Sequence, residues 1–132
     1  KKERMKQNSV LLVDDSTTNI VLLEAILEEK GYAIFSALSA KEAFSIMEKE
    51  VPDLILLDLL MPKISGFEFL EKIRAEENTR KIPVIVVSAV TNEEEISRIR
   101  SMGTVGFIHK PIDMQYLVEL VERTLNQETQ NS

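Results

Sequence analysis

Five short apolar runs divide the chain, at Val10–Val13, Ala33–Ala37, Leu54–Leu57, Val84–Val87 and Gly106–His109. The segments between and after them carry apolar residues at helical spacing instead. Over Thr17–Lys30, Ile20, Leu23 and Leu27 share one helical face, and Gly31 supplies a stop. Ser39-Ala40-Lys41-Glu42 has the spacing of a capping box and predicts a helix to about Lys49. A third helix is predicted over about Ser65–Glu76, and a fourth over Asn92–Met102, stopping at Gly103. A fifth, N-capped by Asp113, buries Leu117, Leu120, Val121 and Leu125. Strand and helix therefore alternate five times, which predicts one parallel sheet with helices on both faces. The strands read as continuous apolar runs, as strands covered on both sides do.

A chain of 132 residues is long enough for one such core and too short for two. We expect a flexible end at residues 1–8, a folded domain at 9–127 and a tail or start of a linker at 128–132. There is no cysteine, which excludes disulfides and thiolate metal sites. The net charge of −6 argues against direct nucleic-acid binding, which calls for a basic face. The basic residues Lys1, Lys2, Arg4 and Lys6 read as a solvated end, not a nucleic-acid arm. No apolar run approaches the roughly 20 residues of a membrane span, and no signal peptide is visible, so no membrane role and a cytoplasmic location are expected.

Four of the apolar runs lead into polar residues that a core does not welcome: Asp14 and Asp15, Asp58, Ser88 and Lys110. Parallel strands share a direction, so all of these belong to one sheet edge. In open α/β sheets ligands bind beyond the carboxyl ends of the strands, where the strand order reverses. For the flavodoxin-like order 2-1-3-4-5, carried over from doubly wound folds and not read from these residues, that point lies between the first and third strands. Three carboxylates there repel one another unless a cation is present. All-oxygen ligation selects a hard ion such as Mg2+, which pairs readily with phosphate oxygens. Asp58 could then act as a nucleophile that forms an acyl phosphate. Lys110 offers a phosphate oxygen a positive charge, and Ser88 a hydroxyl donor. Phosphoryl transfer needs chiefly positioning and charge neutralisation, which this set provides.

Taken in order, VDDSTTN (13–19), DLLMPKISG (58–66), VSAV (87–90) and HKPI (109–112) resemble the response-regulator receiver domain of two-component signalling, over almost the whole chain. The resemblance implies that Asp58 accepts a phosphoryl group from the phosphohistidine of a histidine kinase or histidine phosphotransfer protein. Asp15, Asp58 and the backbone carbonyl of Leu60 would bind Mg2+ directly, and Asp14 mainly through water. Ser88 and Lys110 would contact the phosphoryl group, with Ser88 moving toward it. Phe107 stands where the family places its switch aromatic, and Lys110–Pro111 where it often has a cis bond. The face of fourth helix, fifth strand and fifth helix would change on phosphorylation, be read by a partner and allow a homodimer. The departures are Ser88 in place of the commoner Thr, apolar Leu60 where many members carry a polar residue, and Thr104-Val105 before the fifth strand. Asn19, five residues after Asp14, resembles receivers attached to hybrid histidine kinases.

Other readings are weighed against this set. Asp14 and Asp15 could be a helix N-cap pair, Asp58 a turn residue and Lys110-Pro111 an ordinary loop. Phe107 could be simple packing. His109, the only histidine, reads as structural because it lies on a strand. A phosphatase of the haloacid-dehalogenase type needs an acid two residues after its nucleophile, where this chain has Leu60. A flavodoxin-like cofactor binder needs a first loop that cradles phosphate, which Asp14 and Asp15 would repel. The expected function is thus a phosphorylation-driven switch and not a turnover enzyme, either alone or as part of a hybrid sensor kinase. A phosphate-independent interaction module is the remaining alternative.

Overall fold

The computed structural model describes residues 7–59, 65–89 and 92–130, the last four by their backbone alone. The elements follow the expected alternation: β1 (Ser9–Val13), α1 (Thr17–Glu29), β2 (Ala33–Ala37), α2 (Ala40–Lys49), β3 (Leu54–Leu57), α3 (Gly66–Ala75), β4 (Val84–Ser88), α4 (Glu93–Ser101), β5 (Gly106–His109) and α5 (Met114–Gln130). The five strands form one parallel sheet in the order β2-β1-β3-β4-β5. Helix α5 runs on past Gln127 to Gln130.

Alternation along each strand sorts the core into two layers. Leu11 and Val13 of β1 point to the side covered by α2, α3 and α4, where Met47, Phe69, Ile73, Ile96 and Ile99 are buried. Val10 and Leu12 point to the opposite side, against Ile20, Leu23 and Leu27 of α1 and Leu117, Leu120, Val121 and Leu125 of α5. The three central strands are buried throughout, but the two edge strands are not. β2 is buried only at Ala37, and β5 only at Ile108, with His109 exposed. Each edge strand has a single sheet neighbour, so GFIH is not the fully buried run that its composition suggests.

The helix ends correct the capping expectations. Ser39 caps α2, but Glu42 accepts from the Leu38 amide and not from Ser39, so the box is only half made. The complete box is at α3, where the Ser65 hydroxyl accepts from the Glu68 amide and the Glu68 carboxylate from the Ser65 amide. Asp113 accepts from the Tyr116 amide, as an N-cap for α5 does. The predicted stops after α1 and α4 are glycines in the left-handed region, Gly31 at φ 97° and Gly103 at φ 81°.

Candidate functional site

The carboxyl ends of β1, β3, β4 and β5 are aligned by the sheet's own ladder. Beyond the last paired residues, the Asp14 amide donates to the Ala37 carbonyl at 3.1 Å and the Asp58 amide to the Val13 carbonyl at 2.9 Å. The Lys110 amide donates to the Ser88 carbonyl at 3.0 Å. Each polar residue therefore stands one step past a rigid strand, with its backbone still held by the neighbouring strand. The segment after Asp58 is closed by a bond from the Gly66 amide to the Leu59 carbonyl at 3.0 Å. A Cβ on Gly66 would lie 2.4 Å from the Leu59 Cα, so this approach requires glycine.

Asp14, Asp15 and Asp58 each bring a carboxylate oxygen to within 4.8 Å of the others. Asp14 and Asp58 are buried, while Asp15 is exposed. Lys110 Nζ bridges the two buried acids, at 3.3 Å from Asp14 Oδ2 and 3.1 Å from Asp58 Oδ2. Burial opposes the charged ammonium, but the hydrogen bond to Asp58 and the charges of Asp14 and Asp58 outweigh it. The Lys110 pKa accordingly lies above the ordinary lysine value. Among the described residues, three carboxylates against one ammonium still leave an excess of negative charge. Ser88 is fully buried, and its Oγ has no hydrogen-bond partner among the described residues. Buried hydroxyls are nearly always paired, so an unpaired one on the same sheet edge as this cluster calls for an explanation. The donor set, all oxygen and anionic, fits a small hard cation.

The structure thus brings together Asp14, Asp15, Asp58 and Lys110 by direct geometry, with Ser88 on the same sheet edge. Leu60 lies outside the described residues, as do Val90 of the VSAV motif and residues 61–64. Phe107 is partly buried against the core on the α3–α4 side, and its ring meets His109 at a centroid distance of 4.6 Å. The Lys110–Pro111 bond is cis. The N-cap of α1 is Ser16, which accepts from the Asn19 amide, so neither Asp14 nor Asp15 is spent on capping. Two contacts have no counterpart among the sequence expectations. Asn19 Nδ2 donates to Asp14 Oδ2 at 3.3 Å, and the Ser16 amide donates to Asp14 Oδ1 at 2.8 Å. The spacing of one helical turn beyond the acidic pair was the only available signal for the first.

Comparison with known proteins agrees with this architecture. The response regulator receiver domain model matches residues 10–122, and the chain belongs to that family. The polar-differentiation response regulator DivK of Brucella ovis is 34% identical over 117 residues, covering 89% of this chain and 95% of the relative. A CheY-like receiver domain protein from Methanospirillum hungatei superposes with a TM-score of 0.89 at 27% identity, covering 96% of this chain and all of that one. The receiver domain of a signal transduction histidine kinase from Syntrophus aciditrophicus gives 0.83 at 32% identity, covering 91% of each chain. Among the described residues no helix is long and apolar enough to cross a membrane.

Proposed function

We propose that this domain is a phosphoacceptor switch: it takes a phosphoryl group from the phosphohistidine of a histidine kinase or histidine phosphotransfer protein onto Asp58. The observation that carries this reading is the Lys110 ammonium held between two buried carboxylates that converge with a third. An Asp58 carboxylate oxygen attacks phosphorus, the P–N bond to the imidazole breaks as the P–O bond forms, and the electron pair leaves on the ring nitrogen. Lys110, already in contact with Asp58, is in place to follow the charge onto the phosphoryl oxygens. Ser88 donates its unpaired hydroxyl to one of them. Asp14, Asp15, Asp58 and the Leu60 carbonyl would hold Mg2+, which neutralises the acids and the incoming phosphate when bound. The chemistry is self-directed and leaves the domain modified, so it is not a turnover enzyme.

The readout is the α4-β5-α5 face. Helix α4 buries only Ile96 and Ile99, and such thinly anchored elements occupy the low-stability end of a fold. Movement of Ser88 toward the phosphoryl group vacates space that partly buried Phe107 can enter, changing the face for a partner, an attached output domain or a second copy. The net charge of −6 argues against direct nucleic-acid binding, and a cytoplasmic setting suits a kinase partner. A receiver carried by a hybrid kinase is the second reading, supported by the likeness to the Syntrophus domain.

The test is intact mass after incubation with Mg2+ and acetyl phosphate. Wild type should gain one phosphoryl group, EDTA should abolish the gain, and Asp58→Asn should show none. Equal labelling of Asp58→Asn would remove Asp58 from its role.

A further inference from the structure

Three donors hold Asp14, and they differ in charge. Oδ1 accepts the Ser16 amide at 2.8 Å. Oδ2 is shared by Lys110 Nζ at 3.3 Å and Asn19 Nδ2 at 3.3 Å. The Asn19 backbone is fixed independently, because its own amide closes the Ser16 cap at 3.3 Å in the first turn of α1. The side chain is therefore presented to the acid from a helix and not from a loop.

The charged donor cannot be counted on once the site is used. A divalent cation drawn in by the carboxylates repels the Lys110 ammonium, and a phosphoryl group on Asp58 attracts it away from Asp14. A neutral amide carries no net charge to be repelled. If Oδ2 loses Lys110 and has nothing else, Asp14 is held at Oδ1 alone, and its carboxylate torsion is intrinsically broad. Asn19 is the donor that remains on that oxygen.

We propose that Asn19 is a positioning residue for the cation site, holding the Asp14 carboxylate in its ligand-receiving orientation when the cation displaces Lys110 from it. The inference rests on the Mg2+-dependent switch proposed above and adds a residue to it. Partners that orient a metal's ligands typically govern about tenfold or more in affinity.

The variants are Asn19→Leu, close in shape but without the donor, and Asn19→Ala. Both keep the backbone amide that closes the cap, and neither residue is a poorer helix former than asparagine. Mg2+ affinity of the unphosphorylated domain is measured by calorimetric titration, alongside its thermal midpoint in EDTA and the Mg2+ dependence of labelling by acetyl phosphate. Both variants should bind Mg2+ about tenfold more weakly. Their half-saturating Mg2+ for labelling should rise in step, and the saturated rate should fall by less than the affinity does. The midpoint in EDTA should fall by no more than the loss of one hydrogen bond explains, whereas a structural defect would cost more. Wild type that binds Mg2+, with both variants within about twofold of it, overturns this inference alone, since the expected loss is about tenfold. Wild type that fails to bind Mg2+ overturns the cation reading and this inference together.

Discussion

The two ends of the sheet solve opposite problems with the same kinds of residue. At the amino ends of the strands every buried polar group in view is answered. Ser9 and Asp53 bond reciprocally across β1 and β3, with the Ser9 amide on Asp53 Oδ2 at 2.8 Å and the Asp53 amide on Ser9 Oγ at 3.2 Å. Arg74, from the last turn of α3, reaches four carbonyls: Met102 at 3.0 Å, Gly103 at 3.2 Å, Arg80 at 3.0 Å and Ile82 at 2.9 Å. Burial pushes its pKa below the ordinary arginine value, a cost accepted to tie the entries of β4 and β5 together. At the carboxyl ends, acids are crowded together, one ammonium serves two of them, and a serine hydroxyl has no partner among the described residues. One end is satisfied without help, and the other keeps an excess of acid and an unanswered hydroxyl among the described residues. Charge that must be available for chemistry cannot also be fully neutralised by the fold.

The largest stability effect should come from the satisfied end. Arg74→Ala leaves several half-buried carbonyls without a donor, and each unsatisfied group costs about 1 kcal/mol or more. A loss of about 3 kcal/mol is expected in urea unfolding. Because the defect is remote from the acids, the loss should be the same in EDTA and in saturating Mg2+. A loss that Mg2+ repairs would mean that the two ends are not separate.

Lys110→Met makes the complementary test at the other end. It removes an ammonium in contact with two carboxylates whose side chains are each 6% exposed. Stripping one partner from a partly buried charge cluster should cost about 2 kcal/mol in EDTA. Here Mg2+ should recover most of the loss, since it restores positive charge to the same oxygens. Its stabilising effect, about 2.7 kcal/mol at a hundredfold excess over Kd, should therefore be at least as large in the variant as in wild type. Equal losses with and without Mg2+ would mean that the cation does not enter between these acids.

The sequence made the functional end more legible than the structural one. Polar residues closing apolar runs stand out, and parallel strands force them to a common edge, so Asp14, Asp15, Asp58, Ser88 and Lys110 could be placed from pattern alone. The edge strands were harder, because GFIH has the composition of a buried run and only the sheet order shows that one side is bare. Ser65 and Glu68 carry the same Ser-x-x-Glu spacing as Ser39 and Glu42, yet only the former completes its box, since rotamers and not spacing decide which amide a glutamate reaches. Arg74 leaves no trace at all: its partners are backbone carbonyls, which every residue has. Asn19 left only a spacing, because whether an amide turns back to the preceding loop depends on how Ser16 caps the helix.

The finest distinction between the two ends is a single hydroxyl. Ser88 is fully buried, yet its Oγ has no partner among the described residues, so in the unmodified domain it costs desolvation without a bond in return. Ser88→Ala removes that group and leaves the β4 backbone and its carbonyl bond from Lys110 in place. Stability in EDTA should rise, by about 1 kcal/mol, the lower end of what an unsatisfied buried polar group costs. Labelling by acetyl phosphate should still occur, because Asp58 and the other acids are untouched. The change in amide exchange over α4 and β5 on phosphorylation should shrink, because the donor that follows the phosphoryl group is gone. A serine there for packing alone would give the opposite pattern, with stability falling for a lost contact and the exchange response kept. Loss of stability together with an intact response would place Ser88 with the satisfied groups of the other end and leave the switch without its hydroxyl.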